Sequence, residues 1–326
     1  MSESTQNNES RRQIGEYFRE LRLTNDFLML PEERTWLTRQ PQNPESKKVV
    51  LYLGCNVLRT PHMVQTVTDI FQRLGVDFVA VGGSTYCCGA PFRQDFPEEA
   101  LALGERSVQY FNEFRPGRVV MWCPGCLAHY TETLASRFAC PVQHVSEFLA
   151  ENLDRFPHLS RVPKRVALHY HSREPASERQ AASARRLLQA VPGLELVEVG
   201  TDPRLGRQCT LGARQTLGGD LYDGILESQI QRAVQSKADV FATLYHGCHR
   251  VLVHYQRRYP LQVEHYLSLL GEALGIAHED RYRRYAMLAD TNTIIEAAAP
   301  FLSANQVDPE TARRVVQRIF VDRKGP

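Results

Sequence analysis

From Lys48 onward the chain alternates short β-branched, apolar runs with longer stretches whose apolar residues recur at helical spacing. Val49–Leu53, Asp77–Val81 and Arg118–Trp122 read as strands. Between them lie predicted helices from Pro61 to about Leu74 and from Pro97 to Phe114, and another follows Pro124. In the first, Met63, Val64, Val67, Ile70, Phe71 and Leu74 fall on one face, with Pro61 suited to the first turn and Gly75 to the end. Strands and helices in this order predict a parallel sheet covered on both faces.

The pattern then repeats. Val166–His169, Leu194–Val199 and Val240–Leu244 read as strands, and helices are expected near Ala176–Ala190, Leu221–Gln235 and Gly247–Arg257. Cys209 and Cys248 lie 122 residues after Cys87 and Cys126, and Gly247 the same distance after Gly125. With a one-residue slip, CPVQHVSEFLAENL (140–153) parallels PLQVEHYLSLLGEAL (260–274). Matched cysteines as well as matched elements favour an internal duplication. The expected organisation is a polar leader over 1–47 with a helix at Ile14–Leu23, an α/β domain over 48–160, and its degenerate copy over 164–275. A helical extension follows over 276–326, its last helix capped at Asp308-Pro309-Glu310. The fold class is α/β: two pseudo-symmetric lobes with short parallel sheets flanked by helices.

Composition narrows the class of protein. The 326 residues are 43% hydrophobic and 23% charged, which is ordinary for a folded domain pair. A formal net charge of +2 gives no reason to expect a nucleic-acid partner. No apolar run approaches a membrane span, mean hydropathy is −0.37, and the polar start MSESTQNNESRRQ lacks the apolar core of a secretory signal. A cytoplasmic protein without direct membrane insertion is expected.

The cysteines carry the chemistry. Five of the eight, Cys55, Cys87, Cys88, Cys123 and Cys126, fall within 72 residues, and each group directly follows a predicted strand. Carboxyl ends of parallel strands share one edge of the sheet, so five sulfurs distant in sequence converge in space. Gly89 and Gly125 would let the backbone turn tightly there. A structural zinc takes four ligands and leaves one thiolate over, so five thiolates suggest a multi-iron centre. Cys140 sits away from a strand end and reads as a core cysteine.

In the second half Cys88 is matched by Thr210 and Cys123 by Tyr245. Histidines stand nearby: His169, His171, His246 and His249, beside Cys209 and Cys248. His171, Cys209, His246 and Cys248 form a candidate Cys2His2 zinc site, provided that Tyr245–Cys248 is loop rather than helix. The alternatives are a vestigial pocket held by packing, or a modified cluster. His169 and His249 read as core or surface histidines, and His129 and His144 as neighbours oriented near the first site. Arg173 and Arg207 could hold an anionic group, against the commoner reading of solvated arginines.

The motif CX31CCGX33CX2C resembles the cysteine-rich CCG domain of heterodisulfide reductases and their relatives. The resemblance implies a non-cubane [4Fe-4S] cluster on Cys55, Cys87, Cys88, Cys123 and Cys126, at which a disulfide is cleaved. It also implies partners: a ferredoxin-type iron–sulfur subunit, a flavin subunit, and a disulfide or thiol substrate or sulfur carrier. The chain has no CxxCxxCxxxC run and no GxGxxG turn of its own, so electrons would come and go through others. A non-catalytic electron-transfer or scaffold subunit, as in glycolate and lactate oxidation, is the competing expectation.

Overall fold

The computed structural model describes residues 3–322, and within them two four-stranded, wholly parallel sheets organise the chain. In the first, β1 (Val49–Gly54) lies between β2 (Phe78–Gly82) and β3 (Arg118–Met121), with β4 (Val142–His144) outside β3. In the second, β5 (Arg165–His169) lies between β6 (Glu195–Val197) and β7 (Val240–Thr243), with β8 (Gln262–His265) outside β7. The strand orders, β2-β1-β3-β4 and β6-β5-β7-β8, correspond strand for strand. All six residues of β1 are buried, as its unbroken VVLYLG run requires of a strand covered on both faces.

Helices supply the crossovers. The first half carries α1 (Glu3–Asp26), α2 (Pro61–Arg73), α3 (Pro97–Glu113), α4 (Pro124–Thr133) and α5 (Val145–Glu151). The second carries α6 (Pro175–Gln189), α7 (Leu211–Leu217), α8 (Gly219–Gln235), α9 (His246–Leu252) and α10 (Tyr266–Ala273), and the extension α11 (Arg281–Leu288), α12 (Thr291–Ala304) and α13 (Pro309–Val316). The halves meet where α5 packs on α6 and α2 on α10, so that one apolar core runs through both. Phe71 stacks on Phe148 within it, ring centroids 5.1 Å apart.

Three expectations shift in extent. The leader helix is longer than Ile14–Leu23, because the ion pairs Glu9–Arg12 and Arg12–Glu16 extend a polar helix beyond its apolar stripe. Strand β6 is shorter than Leu194–Val199. The helix expected at Gly247–Arg257 divides into α9 and a 3-10 turn, Val253–Arg257. No helix among the described residues is long and apolar enough to cross a membrane.

Candidate functional site

The ends of β1, β2 and β3 open onto one edge of the first sheet, and there the five cysteines gather. Cys55 follows β1, Cys87 and Cys88 lie in the turn after β2, and Cys123 and Cys126 begin α4. Cys88 Sγ is 3.1 Å from Cys126 Sγ, and Cys55 Sγ is 3.9 Å from Cys87 Sγ. All five are free thiols, four of them buried and Cys123 partly exposed. The turn itself explains the glycine of CCG. Gly89 has φ +85°, and a Cβ there would lie 2.0 Å from Ala100 O. Gly125 has a different role from the tight turn expected of it. It lies inside α4, where a Cβ would sit 3.4 Å from Gln208 Nε2, so it admits close approach of the other half.

Polar groups surround the sulfurs. Gly89 N–H donates to Cys87 Sγ and Ala90 N–H to Cys88 Sγ, each at 3.4 Å. Tyr17 of α1 reaches over with its hydroxyl 3.7 Å from Cys55 Sγ, and Tyr52 Oη lies 4.0 Å from Cys126 Sγ. Hydrogen bonds with Cys126 and Cys87, aided by Ala90 N–H, hold the Cys88 thiol well below the ordinary thiol range. The same sharing pushes Cys87 and Cys126 up. Thiols this close cannot all ionise unless positive charge sits among them, and that charge is what iron supplies. An all-thiolate donor set, with N–H groups aimed at sulfur, fits an iron–sulfur cluster.

The edge of the second sheet brings together a smaller group. His169, His171, Cys209 and Cys248 are all buried, and their donor atoms lie within 4.8 Å of one another. His171 Nε2 is 3.2 Å from Cys248 Sγ and 3.6 Å from Cys209 Sγ, and His169 Nε2 is 3.3 Å from Cys209 Sγ. A tetrahedral zinc with ligands at about 2.0–2.3 Å has donors about 3.3–3.8 Å apart. Each imidazole is also oriented for ligation. His169 Nδ1 donates to Gln229 Oε1 at 2.8 Å and His171 Nδ1 to Gly206 O at 3.0 Å, leaving both Nε2 lone pairs toward the sulfurs. Hydrogen bonding with Cys209 and the nearby His171 and His169 hold the Cys248 thiol low although burial alone would raise it, and burial pushes Cys209 up.

The histidine pairing differs from the one read in the sequence. His246 stands outside this group and His169 takes its place. The cause is local: α9 begins at His246, so His246 and Cys248, two apart on a helix, project to different sides. His169 and His171, two apart at the end of a strand, share a side. Among the other expectations, His129 lies beside Cys88, whereas His144 caps α5 and contacts Trp122 O and Ser146. Arg207 is held by Glu132 and Glu174 and is not free to take an anion. Cys140 lies in the loop before β4 and packs against a core cluster of the first half.

Between the halves lies a cavity of about 820 Å3. Cys55, Cys123 and Cys126 of the first half and Cys209 of the second all line it. Arg59 and Arg250, both buried, stand on its lining. Sequence reasoning passes over both, because nothing in the local pattern distinguishes them from surface arginines.

Comparison with known proteins places these features. A family of cysteine-rich CCG domains matches residues 49–130, a span that includes all five cysteines. One subunit of the dihydromethanophenazine:CoB--CoM heterodisulfide reductase of Methanosarcina mazei is 25% identical over 281 residues, 81% of this chain and 66% of its own. One subunit of the fumarate reductase (CoM/CoB) of Methanothermobacter marburgensis is 26% identical over 165 residues, 48% of this chain and 32% of its own. The chain thus spans less than two thirds of the length of either relative. Among solved structures, an aspartate racemase of Picrophilus torridus (12% identity, TM-score 0.30, 72% of this chain and 98% of that one) shows only a distant likeness. So does an aspartate racemase homologue of Pyrococcus horikoshii (11%, TM-score 0.32, 77% and 99%). Neither likeness bears on chemistry. Residues 49–130 thus match the cysteine-rich CCG domain family, and the chain as a whole is similar to a heterodisulfide reductase subunit.

Proposed function

We propose that the chain is the iron–sulfur subunit of a heterodisulfide-reductase-like complex and acts on a thiol–disulfide couple. In this reading residues 48–160 form the complete CCG domain and 164–275 its degenerate copy. Cys55, Cys87, Cys88, Cys123 and Cys126 would hold a non-cubane [4Fe-4S] cluster, and His169, His171, Cys209 and Cys248 a zinc ion. The observation that carries the proposal is that thiols of the five-cysteine set form a wall of a cavity large enough for a small organic disulfide.

The cluster supplies one-electron transfer to a sulfur substrate. Opening a disulfide to two thiols takes two electrons and two protons, the electrons coming from a ferredoxin-type subunit and a flavin subunit. The chain's own residues bind and position. Gly89 and Ala90 donate N–H bonds that stabilise negative sulfur. Arg59 is paired with Glu20 at 3.1 Å, whereas Arg250, which donates to Asn56, brings positive charge to the lining and favours a substrate that carries an anionic group. The zinc set is closed by four protein donors, so its role is structural.

Iron and acid-labile sulfide analysis of anaerobically purified protein tests the cofactor, with about four irons per chain expected. Zinc alone would overturn it. Titration with small anionic disulfides, followed by EPR, tests the catalytic role. A thiol-dependent paramagnetic signal is expected; its absence with every disulfide would leave the electron-transfer or scaffold role.

A further inference from the structure

Away from the cavity the fold buries a second group of metal-ligating side chains, His62, His249 and Asp280, whose donor atoms also lie within 4.8 Å of one another. They come from three parts of the chain. His62 is in the first turn of α2, His249 lies on α9, and Asp280 is the residue before α11. Neither histidine is more than 2% exposed. His249 Nε2 is 2.7 Å from Asp280 Oδ2, and His62 Nδ1 is 3.4 Å from Asp280 Oδ1. The two imidazole rings are 5.4 Å apart, centroid to centroid.

Hydrogen bonding leaves this group incomplete. Neither ring nitrogen of His62 makes a hydrogen bond, although both are buried, and His249 Nδ1 has none either. His62 faces the carboxylate within ion-pair distance but outside hydrogen-bond geometry. Buried polar atoms are almost always satisfied, and an unsatisfied one beside other donors marks the place of a bound ion or water. Water would bring no charge to offset the buried Asp280 carboxylate, which a cation does. Two imidazoles and a carboxylate meeting at one point form the donor set of a divalent transition metal.

We infer that His62, His249 and Asp280 bind a divalent transition metal, of the zinc type, that ties the two halves of the chain to its C-terminal extension. The metal takes the place of the proton shared between His249 and Asp280. A small oxygen ligand completes the coordination that three protein donors leave open. Burial holds His62 down to about 4, in the neutral form that ligates. Positive groups near His62 are already engaged: Arg283 with Glu264 at 3.6 Å, and His278 with Asp69 at 2.7 Å. The site is separate from the Cys2His2 set. His249 follows Cys248 directly on α9, and successive helical residues point about 100° apart. The inference therefore stands whether or not zinc occupies the other set.

The test is zinc K-edge absorption and elemental analysis on the full-length chain, grown with zinc and dialysed against a chelator of moderate affinity. Iron in the first site does not contribute to that edge. The expected result is one zinc per chain with nitrogen and oxygen neighbours only, at about 2.0–2.1 Å, in addition to any zinc held by the Cys2His2 set. A zinc in the Cys2His2 set would add sulfur neighbours at about 2.3 Å. His62→Gln should remove the nitrogen–oxygen zinc and leave any sulfur-bound zinc in place. The Cys209→Ser/Cys248→Ser double variant should do the reverse. Absence of a sulfur-free zinc in the Cys209→Ser/Cys248→Ser variant overturns the inference. So does a zinc count that His62→Gln, with unchanged circular dichroism, fails to lower. Should His62→Gln not fold, the shell of the zinc retained by the Cys209→Ser/Cys248→Ser variant decides: nitrogen and oxygen only supports the inference, and no zinc overturns it.

Discussion

Gly89 is the most constrained residue near the five thiols, since it needs both a positive φ and the absence of a Cβ. Gly89→Ala would drive a methyl group into the Ala100 carbonyl, so α3 or the Cys87-Cys88 turn must move. The expected outcome is loss of iron together with a Tm drop of several degrees, measured by metal analysis and calorimetry. Retained iron at an unchanged Tm would refute that account. Cys88→Ser should also remove iron, because Cys88 pairs most closely with Cys126, while Cys140→Ser should leave iron content unaltered. His144 gives the pH prediction. Burial holds its imidazole down to about 4, against about 6.5 when exposed. Between those values the unfolded chain binds a proton that the folded chain does not, so stability rises with pH across this window. It is fully present above about pH 6.5 and is lost as pH falls to 4, by roughly 3 kcal/mol for this one residue. His246, held down to about 3 by burial, adds to the loss with the same sign. His144→Asn keeps an acceptor for the α5 cap and should flatten the fall of Tm with acid. An unchanged slope would exclude His144 as its source.

At the scale of elements, α1 does more than precede the first strand. Tyr17, Phe18 and Leu21 pack with Phe92, Phe96 and Cys87, and the Tyr17 hydroxyl reaches Cys55. When Cys55 is a thiolate, Tyr17 must be the donor. Donation stabilises the more negative, reduced state. Tyr17→Phe is therefore expected to keep iron content and to lower the reduction potential by about 20–60 mV, the equivalent of one hydrogen bond of ~0.5–1.5 kcal/mol for one electron. Redox titration of the iron signal checks it, and an unchanged potential would mean that Tyr17 only packs. The legibility of the sequence followed the same division. Strand ends and the spacing of the five cysteines were readable, because parallel sheets place such residues on one edge whatever their surroundings. The second set was half readable. Cys209, Cys248 and His171 stood at matching positions, but the choice between His169 and His246 depended on the residue at which α9 begins. A one-residue difference in a helix start turns a side chain by about 100°, which the local pattern does not determine. His62 and Asp280, far apart in the sequence, meet only through packing of α2 against the second half.

For the whole molecule, the consequence of two corresponding sheets is a shared space. The corresponding edges of the two sheets face each other across the cavity, with the CPGC turn of α4 on one side and the YHGC turn of α9 on the other. Gln208 fills the gap between their glycines: a Cβ would meet its side chain at 3.4 Å from Gly125 and at 3.2 Å from Gly247. Arg250 bonds Asn56 at 2.5 Å and Arg207 pairs with Glu174 at 2.6 Å and with Glu132, so polar contacts as well as the core hold the halves around the space. If the space admits substrate, filling it should separate binding from cofactor assembly. Val251, on α9, lines it, is partly buried and is not a candidate ligand. Val251→Trp should leave iron, labile sulfide and Tm unchanged, while abolishing the EPR signal produced by an anionic disulfide. Unaltered response to the disulfide would place the reacting sulfur outside the cavity. Loss of iron as well would show that this wall belongs to the cofactor's own support, because a tryptophan there would then have displaced Cys126 or Cys123 and not a visiting molecule.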